Sequence, residues 1–189
     1  MDEARYLEAY LSRVCEAVKS IEVSQLEQLA TVIDQTVSSQ GHVFFIGNGG
    51  SAATASHYVN DLVMAYARTN RVLRTSSLTD NPALVSGIAN DYSFLEIFEY
   101  QLRALAQPGD LVVAISASGN SPNLIRAIEH ANSAGIGTAA VLGFDGGKLK
   151  EMVDVVVHVT TQLGDYGPAE DAHLIINHAV AGLLRTKGE

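Results

Sequence analysis

From residue 42 onward the chain alternates short apolar runs with amphipathic helical stretches, and this alternation constrains the fold more than any other feature. The runs span residues 42–46, 72–78, 111–115, 138–142 and 153–159. Each is the length of a strand, and most are followed by a helical pattern. Strands that read as continuous apolar runs are buried on both faces, and interleaved helices provide the cover. The expected architecture is therefore α/β, a three-layer αβα sandwich around a five-stranded parallel sheet.

Two helical patterns precede the first run. Leu7, Tyr10, Leu11, Val14, Val18 and Ile21 recur at helical spacing, as do Leu26, Leu29, Ala30, Ile33 and Val37, the second pattern ending near Gly41. Neither belongs to a βαβ unit, so they pack back on the sheet or against another subunit, and we expect partly the latter. A last periodic stretch covers 169–185. With no linker, repeat or low-complexity segment, one domain is expected over 1–189, a helical segment at 1–40 leading into an α/β core at 41–189.

The 189 residues, 47% hydrophobic and 17% charged, suffice for one well-buried core. A formal net charge of -9 argues against a nucleic-acid partner, because reading a phosphate backbone needs clustered Lys and Arg. Any phosphate must be captured locally, by oriented N–H groups and hydroxyls. Cys15 is the single cysteine, which excludes an intramolecular disulfide and fits a reducing compartment. The opening Met1-Asp2-Glu3-Ala4-Arg5 lacks the pattern of a secretory signal, and no apolar run reaches the ~18 residues of a membrane span. A cytoplasmic protein without membrane partners is expected.

The first strand leads into Gly47-Asn48-Gly49-Gly50-Ser51-Ala52, where a helix begins. Glycines permit positive φ and close approach to a ligand, and a helix N-terminus offers unpaired N–H groups to an anion. The third strand ends in Ser116-Ala117-Ser118-Gly119-Asn120-Ser121-Pro122, with Ser121 placed as N-cap and Pro122 at the first helical position. In a parallel sheet both loops leave the carboxyl edge, where open α/β folds bind ligands. Gly47, Gly49 and Ala52 also satisfy a dinucleotide fingerprint, but the second strand does not end in the acidic residue that holds a ribose. A loop bearing Ser116, Ser118 and Ser121 suits a phosphomonoester better, since hydroxyls can ring its terminal oxygens.

Two further groups carry proton or metal chemistry. His57 and Asp61 stand four apart on the helix that the glycine loop starts, so they share a face. Glu170 and His178 stand eight apart on the last helix, about 80° around its axis, and can look into one cleft. Two His and two carboxylates can hold a divalent metal of zinc type or run proton transfers.

In combination these motifs, with Asn90-Asp91-Tyr92, Gly109-Asp110, Gly143-Phe144-Asp145-Gly146-Gly147 and the terminal His173 and His178, resemble the sugar isomerase (SIS) domain family and, within it, the phosphoheptose isomerases. The resemblance implies a homotetramer with sites shared between subunits. It implies interconversion of sedoheptulose 7-phosphate and a D-glycero-D-manno-heptose 7-phosphate, a step of carbohydrate metabolism toward heptose biosynthesis. It further implies Asp61 and His178 as the proton-moving pair acting through an enediol, and a zinc site of His57, Asp61, Glu170 and His178. Two positions depart from the pattern: Asp61 stands for the family Glu and Glu170 for the family Gln. Asp61 is about 1 Å shorter in reach, a displacement that can cost about 10²-fold in rate. Glu170 then becomes a second candidate base.

The resulting expectation assigns catalysis to Asp61, His178 and Glu170. Substrate binding falls to Asn48, Gly49, Gly50, Ser51, Asp91, Ser116, Ala117, Ser118 and Ser121, with Asn48 and Asp91 on sugar hydroxyls. A different phosphosugar as substrate, or a non-catalytic sugar-phosphate-binding regulator of the same fold, are the alternatives.

Overall fold

The computed structural model describes residues 2–67, 69 and 71–187. Met1, Gly188 and Glu189, the ends of the expected 1–189 span, lie outside the described residues. Among the described residues five strands form one all-parallel sheet: β1 (His42–Gly47), β2 (Arg74–Ser77), β3 (Leu111–Ser116), β4 (Gly137–Leu142) and β5 (Val155–His158), in the order β2-β1-β3-β4-β5. Among the same residues seven α-helices flank it: α1 (Glu3–Lys19), α2 (Val23–Ser38), α3 (Gly50–Tyr66), α4 (Pro82–Asp91), α5 (Glu99–Leu105), α6 (Pro122–Ser133) and α7 (Tyr166–Thr186).

The alternation of side chains along each strand explains the three layers. Val43, Phe45, Leu111, Val113, Ile115, Ala139 and Val141 point to one face, where α1, α2, α3 and α7 supply Ala17, Leu29, Ile33, Tyr58, Leu62 and Ile176. Phe44, Ile46, Val112, Ala114, Ala140 and Leu142 point to the other, against Ile88, Leu102, Leu124 and Ile128 of α4, α5 and α6. Both sets are buried. Removing each large side chain from water stabilises the fold by roughly 1.5–3 kcal/mol.

The two outer strands are shorter than the apolar runs suggest. β2 covers Arg74–Ser77 and leaves Val72 exposed, and β5 covers Val155–His158. Each pairs on one side only, so its ladder ends where the register with β1 or β4 ends. α7 begins at Tyr166, three residues earlier than its periodicity indicates, because Gly167 and Pro168 occupy the first turn, where proline needs no donor.

α1 and α2 both pack against α7, and α2 also reaches β5 and β1. Arg13 bonds Asp165, and the Tyr10 hydroxyl donates to Asp171, which with its burial pushes the phenol up to about 12. Only Ala17 of α1 is buried, leaving Tyr6, Leu7 and Leu11 exposed.

The strand order places the site. β1 sends the chain outward to β2, and β3 then starts on the other side of β1, so the loops after β1 and β3 leave from neighbouring strands toward opposite faces. α3 joins one core and α6 the other. A crevice opens between them at this reversal, the place where parallel α/β sheets bind ligands.

Candidate active site

The two loops meet in that crevice. Asn48, Ser51, Ile115, Ser116, Ala117, Ser118, Ser121, Leu124, Tyr166 and Glu170 line one cavity of about 140 Å³. Reciprocal amide bonds lock the loops together, Asn48 donating to Asn123 and Asn123 to Asn48, both at 2.9 Å. Gly49 caps α3 with φ 54°, and Gly50 begins it.

The serine loop is arranged to leave its protons free. Ser116 Oγ accepts from the Gly119 N–H at 3.0 Å and Ser118 Oγ from the Asn120 N–H at 3.2 Å. Each hydroxyl spends acceptor capacity on the backbone and keeps its O–H for an incoming anion. Ser121 sits at the N-cap of α6 without capping through its side chain. Behind the loop, Gly119 has φ 62° and presses so closely on the Gly146 carbonyl that a Cβ there would come within 1.9 Å of its oxygen. Asn120 accepts from the Lys148 N–H, and the Gly119 carbonyl from the Leu149 N–H. The Gly143 to Gly147 turn is thus the buttress of the serine loop.

Glu170 reaches into the cavity from α7. Its carboxylate lies against Gly50, where an added Cβ would meet it at 2.5 Å. A negative group at the start of α3 is favoured by the partial positive charge of the helix terminus.

About two turns along α3 and α7 lies a second constellation. Asp61 Oδ2 stands 3.3 Å from His57 Nε2 and 3.5 Å from His178 Nε2, and the two imidazole nitrogens are 3.4 Å apart. His57, Asp61 and His178 form a group whose donor atoms all lie within 4.8 Å of one another. One carboxylate and two imidazoles at this spacing suit a divalent cation of zinc type. Glu170 is not in this group. Asp61 and His178 instead border a separate hollow of about 240 Å³ with Met64 and Arg185. Asp91 is exposed at the end of α4, accepts from the Asn90 amide, and does not line the cavity.

Sequence reasoning assigned no role to Asn123 and Asn177. Both are buried amides among mostly apolar buried positions of their helices, which is the signal available for each. Asn177 Nδ2 donates to Asp61 Oδ2 at 2.7 Å, while its Oδ1 has no partner among the described residues. Burying an unpaired acceptor costs about 1–3 kcal/mol. Between the two ends of the site lies His173, 1% exposed, with no hydrogen bond of good geometry at either ring nitrogen among the described residues. Burial pushes its pKa down to about 4, against a small opposing pull from the Leu142 carbonyl.

Known proteins are similar in sequence and fold. Residues 5–143 match the SIS domain family. The chain is 35% identical over 187 residues to a probable phosphoheptose isomerase of Thermoplasma acidophilum, covering 99% of this chain and 100% of that one. It is 37% identical over 180 residues to the phosphoheptose isomerase of Chlorobaculum parvum, covering 94% and 85% respectively. Its fold superposes on phosphoheptose isomerase GmhA from Neisseria gonorrhoeae with a TM-score of 0.88 and 29% identity, over 97% of this chain and 98% of that one.

Proposed function

The chain belongs to the SIS domain family, among its phosphoheptose isomerases, and from this we propose that it interconverts sedoheptulose 7-phosphate and D-glycero-D-manno-heptose 7-phosphate through an enediol. The observation that carries the reading is the single cavity lined by both anion-binding loops and by Glu170. Ser51, Ser116, Ser118 and Ser121 hold the phosphate with the N–H groups of Gly49, Gly50 and Ala117. The start of α3 and His57 are seven residues apart, about 10 Å along the helix, the scale of an open-chain seven-carbon phosphosugar. Anchoring the phosphate at one end therefore brings C1 and C2 toward the acid–base groups, and this remote binding energy can be realised in the transition state.

His178 exchanges the proton on oxygen, since an imidazole can both accept and donate one. The proton on carbon passes to Asp61, beside the two imidazoles, or to Glu170, in the cavity wall. In the alternative use of the same atoms, His57, Asp61 and His178 would hold a divalent cation, zinc by donor type, with Glu170 joining if its side chain swings from Gly50; such an ion would polarise the substrate oxygens. Asn48, already paired with Asn123, orients the loop as well as any sugar hydroxyl it meets.

Residues 1–189 act as one SIS domain in this reading, assembled as a homotetramer through the exposed Tyr6, Leu7 and Leu11 of α1. A single exposed Cys15 fits the cytoplasm. No helix among the described residues is long and apolar enough to cross a membrane.

The test is product formation from sedoheptulose 7-phosphate and other ketose phosphates by the wild type, Asp61→Asn and Glu170→Gln. Turnover of the seven-carbon substrate is expected. Loss of turnover in only one variant identifies the base. A wild type inactive on every ketose phosphate yet binding them would favour the regulator reading.

A further inference from the structure

We infer that Asn177 is a positioning residue for Asp61, aiming one of its carboxylate lone pairs at the gap between His57 and His178; the inference rests on the proposed isomerase reading and deepens it. Asp61 Oδ2 is the atom that faces both imidazoles, and it is the same atom that accepts from Asn177 Nδ2 at 2.7 Å. A carboxylate oxygen has two acceptor directions. With one taken by the amide, the other is turned to where a cation or a proton would sit. Asp61 Oδ1 is held as well, by the Asn60 amide at 2.9 Å, so the carboxylate plane is gripped from both ends.

The two grips differ in kind. Asn60 is exposed and belongs to the same helix as Asp61, so it follows any movement of α3. Asn177 is completely buried and comes from α7, the helix that also carries His178. Its bond to Asp61 thus ties the carboxylate to the frame of the imidazole it must meet.

The state of the rest of the Asn177 side chain argues that this bond is its purpose. Its Oδ1 is buried without a partner among the described residues, so an apolar residue of the same volume would suit the packing better. His173, one turn earlier on α7, is likewise buried, its two ring nitrogens unpaired among the described residues. A group that orients a ligating carboxylate typically changes metal affinity or activity by about 10–100-fold when removed.

The experiment compares the full-length wild type with Asn177→Leu, Asn177→Ala, Asp61→Ala and the double variant Asp61→Ala/Asn177→Leu. The readouts are cobalt(II) affinity by optical titration, inorganic phosphate affinity, and kcat and KM for sedoheptulose 7-phosphate. Asn177→Leu should weaken cobalt binding about tenfold or more and lower kcat by a similar factor. KM and phosphate affinity should stay within about twofold, because the phosphate cavity is at the other end of the seam. In the Asp61→Ala background the same substitution should add nothing to the cobalt loss, which a merely structural role would not produce.

Cobalt affinity and kcat within twofold of wild type in both Asn177 variants would overturn the inference. So would full additivity in the double variant, or failure of both Asn177 variants to fold, since the amide would then serve the core. A wild type without turnover whose cobalt affinities keep the expected order would count against the isomerase reading alone and support the role of Asn177.

Discussion

The two ends of the seam between α3 and α7 are made by different means. At the cavity end the working groups are hydroxyls and N–H groups on turns whose shape is enforced by backbone: the Gly119 approach to Gly146, the Gly49 cap, and the Asn48–Asn123 bridge. At the other end they are three side chains, His57, Asp61 and His178, partly open to solvent, with the Asp61 carboxylate oriented by two amides. An anion needs a preformed cradle, which rigid backbone provides. Proton exchange or metal binding needs donor atoms within a few ångströms of one another, which only the packing of two helices can supply.

That contrast can be broken by substitution at either end. His178→Ala should cause the largest change, lowering kcat by about 10²–10⁴ while phosphosugar affinity stays within a few-fold. A parallel collapse of binding, measured by calorimetry, would mean that the two ends do not divide the work. Next comes Gly119→Ala, which forces a side chain into left-handed backbone and onto the Gly146 carbonyl. It should cost about 4 kcal/mol of stability and most of the phosphate affinity. Urea unfolding and phosphate titration would check both, and near-wild-type values would show that the cradle is not rigid.

The middle of the seam is tested by pH. The unfolded chain protonates His173 near its ordinary value of 6.5, whereas the folded chain keeps the ring neutral down to about 4. The folded state therefore has its full stability above about pH 6.5 and loses it as the pH falls, by roughly 3 kcal/mol at about pH 4. In His173→Leu this acid slope should shrink. An unchanged slope in urea unfolding between pH 7 and 4 would show that the folded chain protonates the ring as readily as the unfolded one.

The smallest effect is expected from Gly50→Ala. Its new Cβ meets only the movable end of Glu170, so stability should change by less than about 1 kcal/mol. KM should rise as the carboxylate is displaced. A large stability loss would mean that Glu170 is held in place as firmly as the backbone cradle.

Much of the cavity end was legible in the chain itself. Glycine at residue 49, serines at 116, 118 and 121 and proline at 122 each report a local backbone requirement, and continuous apolar runs report a sheet buried on both faces. The limits of β2 and β5 were not legible, because an outer strand ends where its one neighbour's register ends. Nor were the roles of Asn123 and Asn177, whose partners lie 75 and 116 residues away.

The sequence by itself determined the order of strands and helices, the turns that can cradle an anion, and the presence of imidazoles and carboxylates on helices that could face one another. Tertiary structure alone decided that His57 and Asp61 stand with His178 while Glu170 turns instead to Gly50 and the serine loop. The physical reason is range. Backbone conformation is set by residues a few positions apart, whereas the distance between a side chain on α3 and one on α7 depends on the rotation and depth at which two buried helices settle against the same sheet.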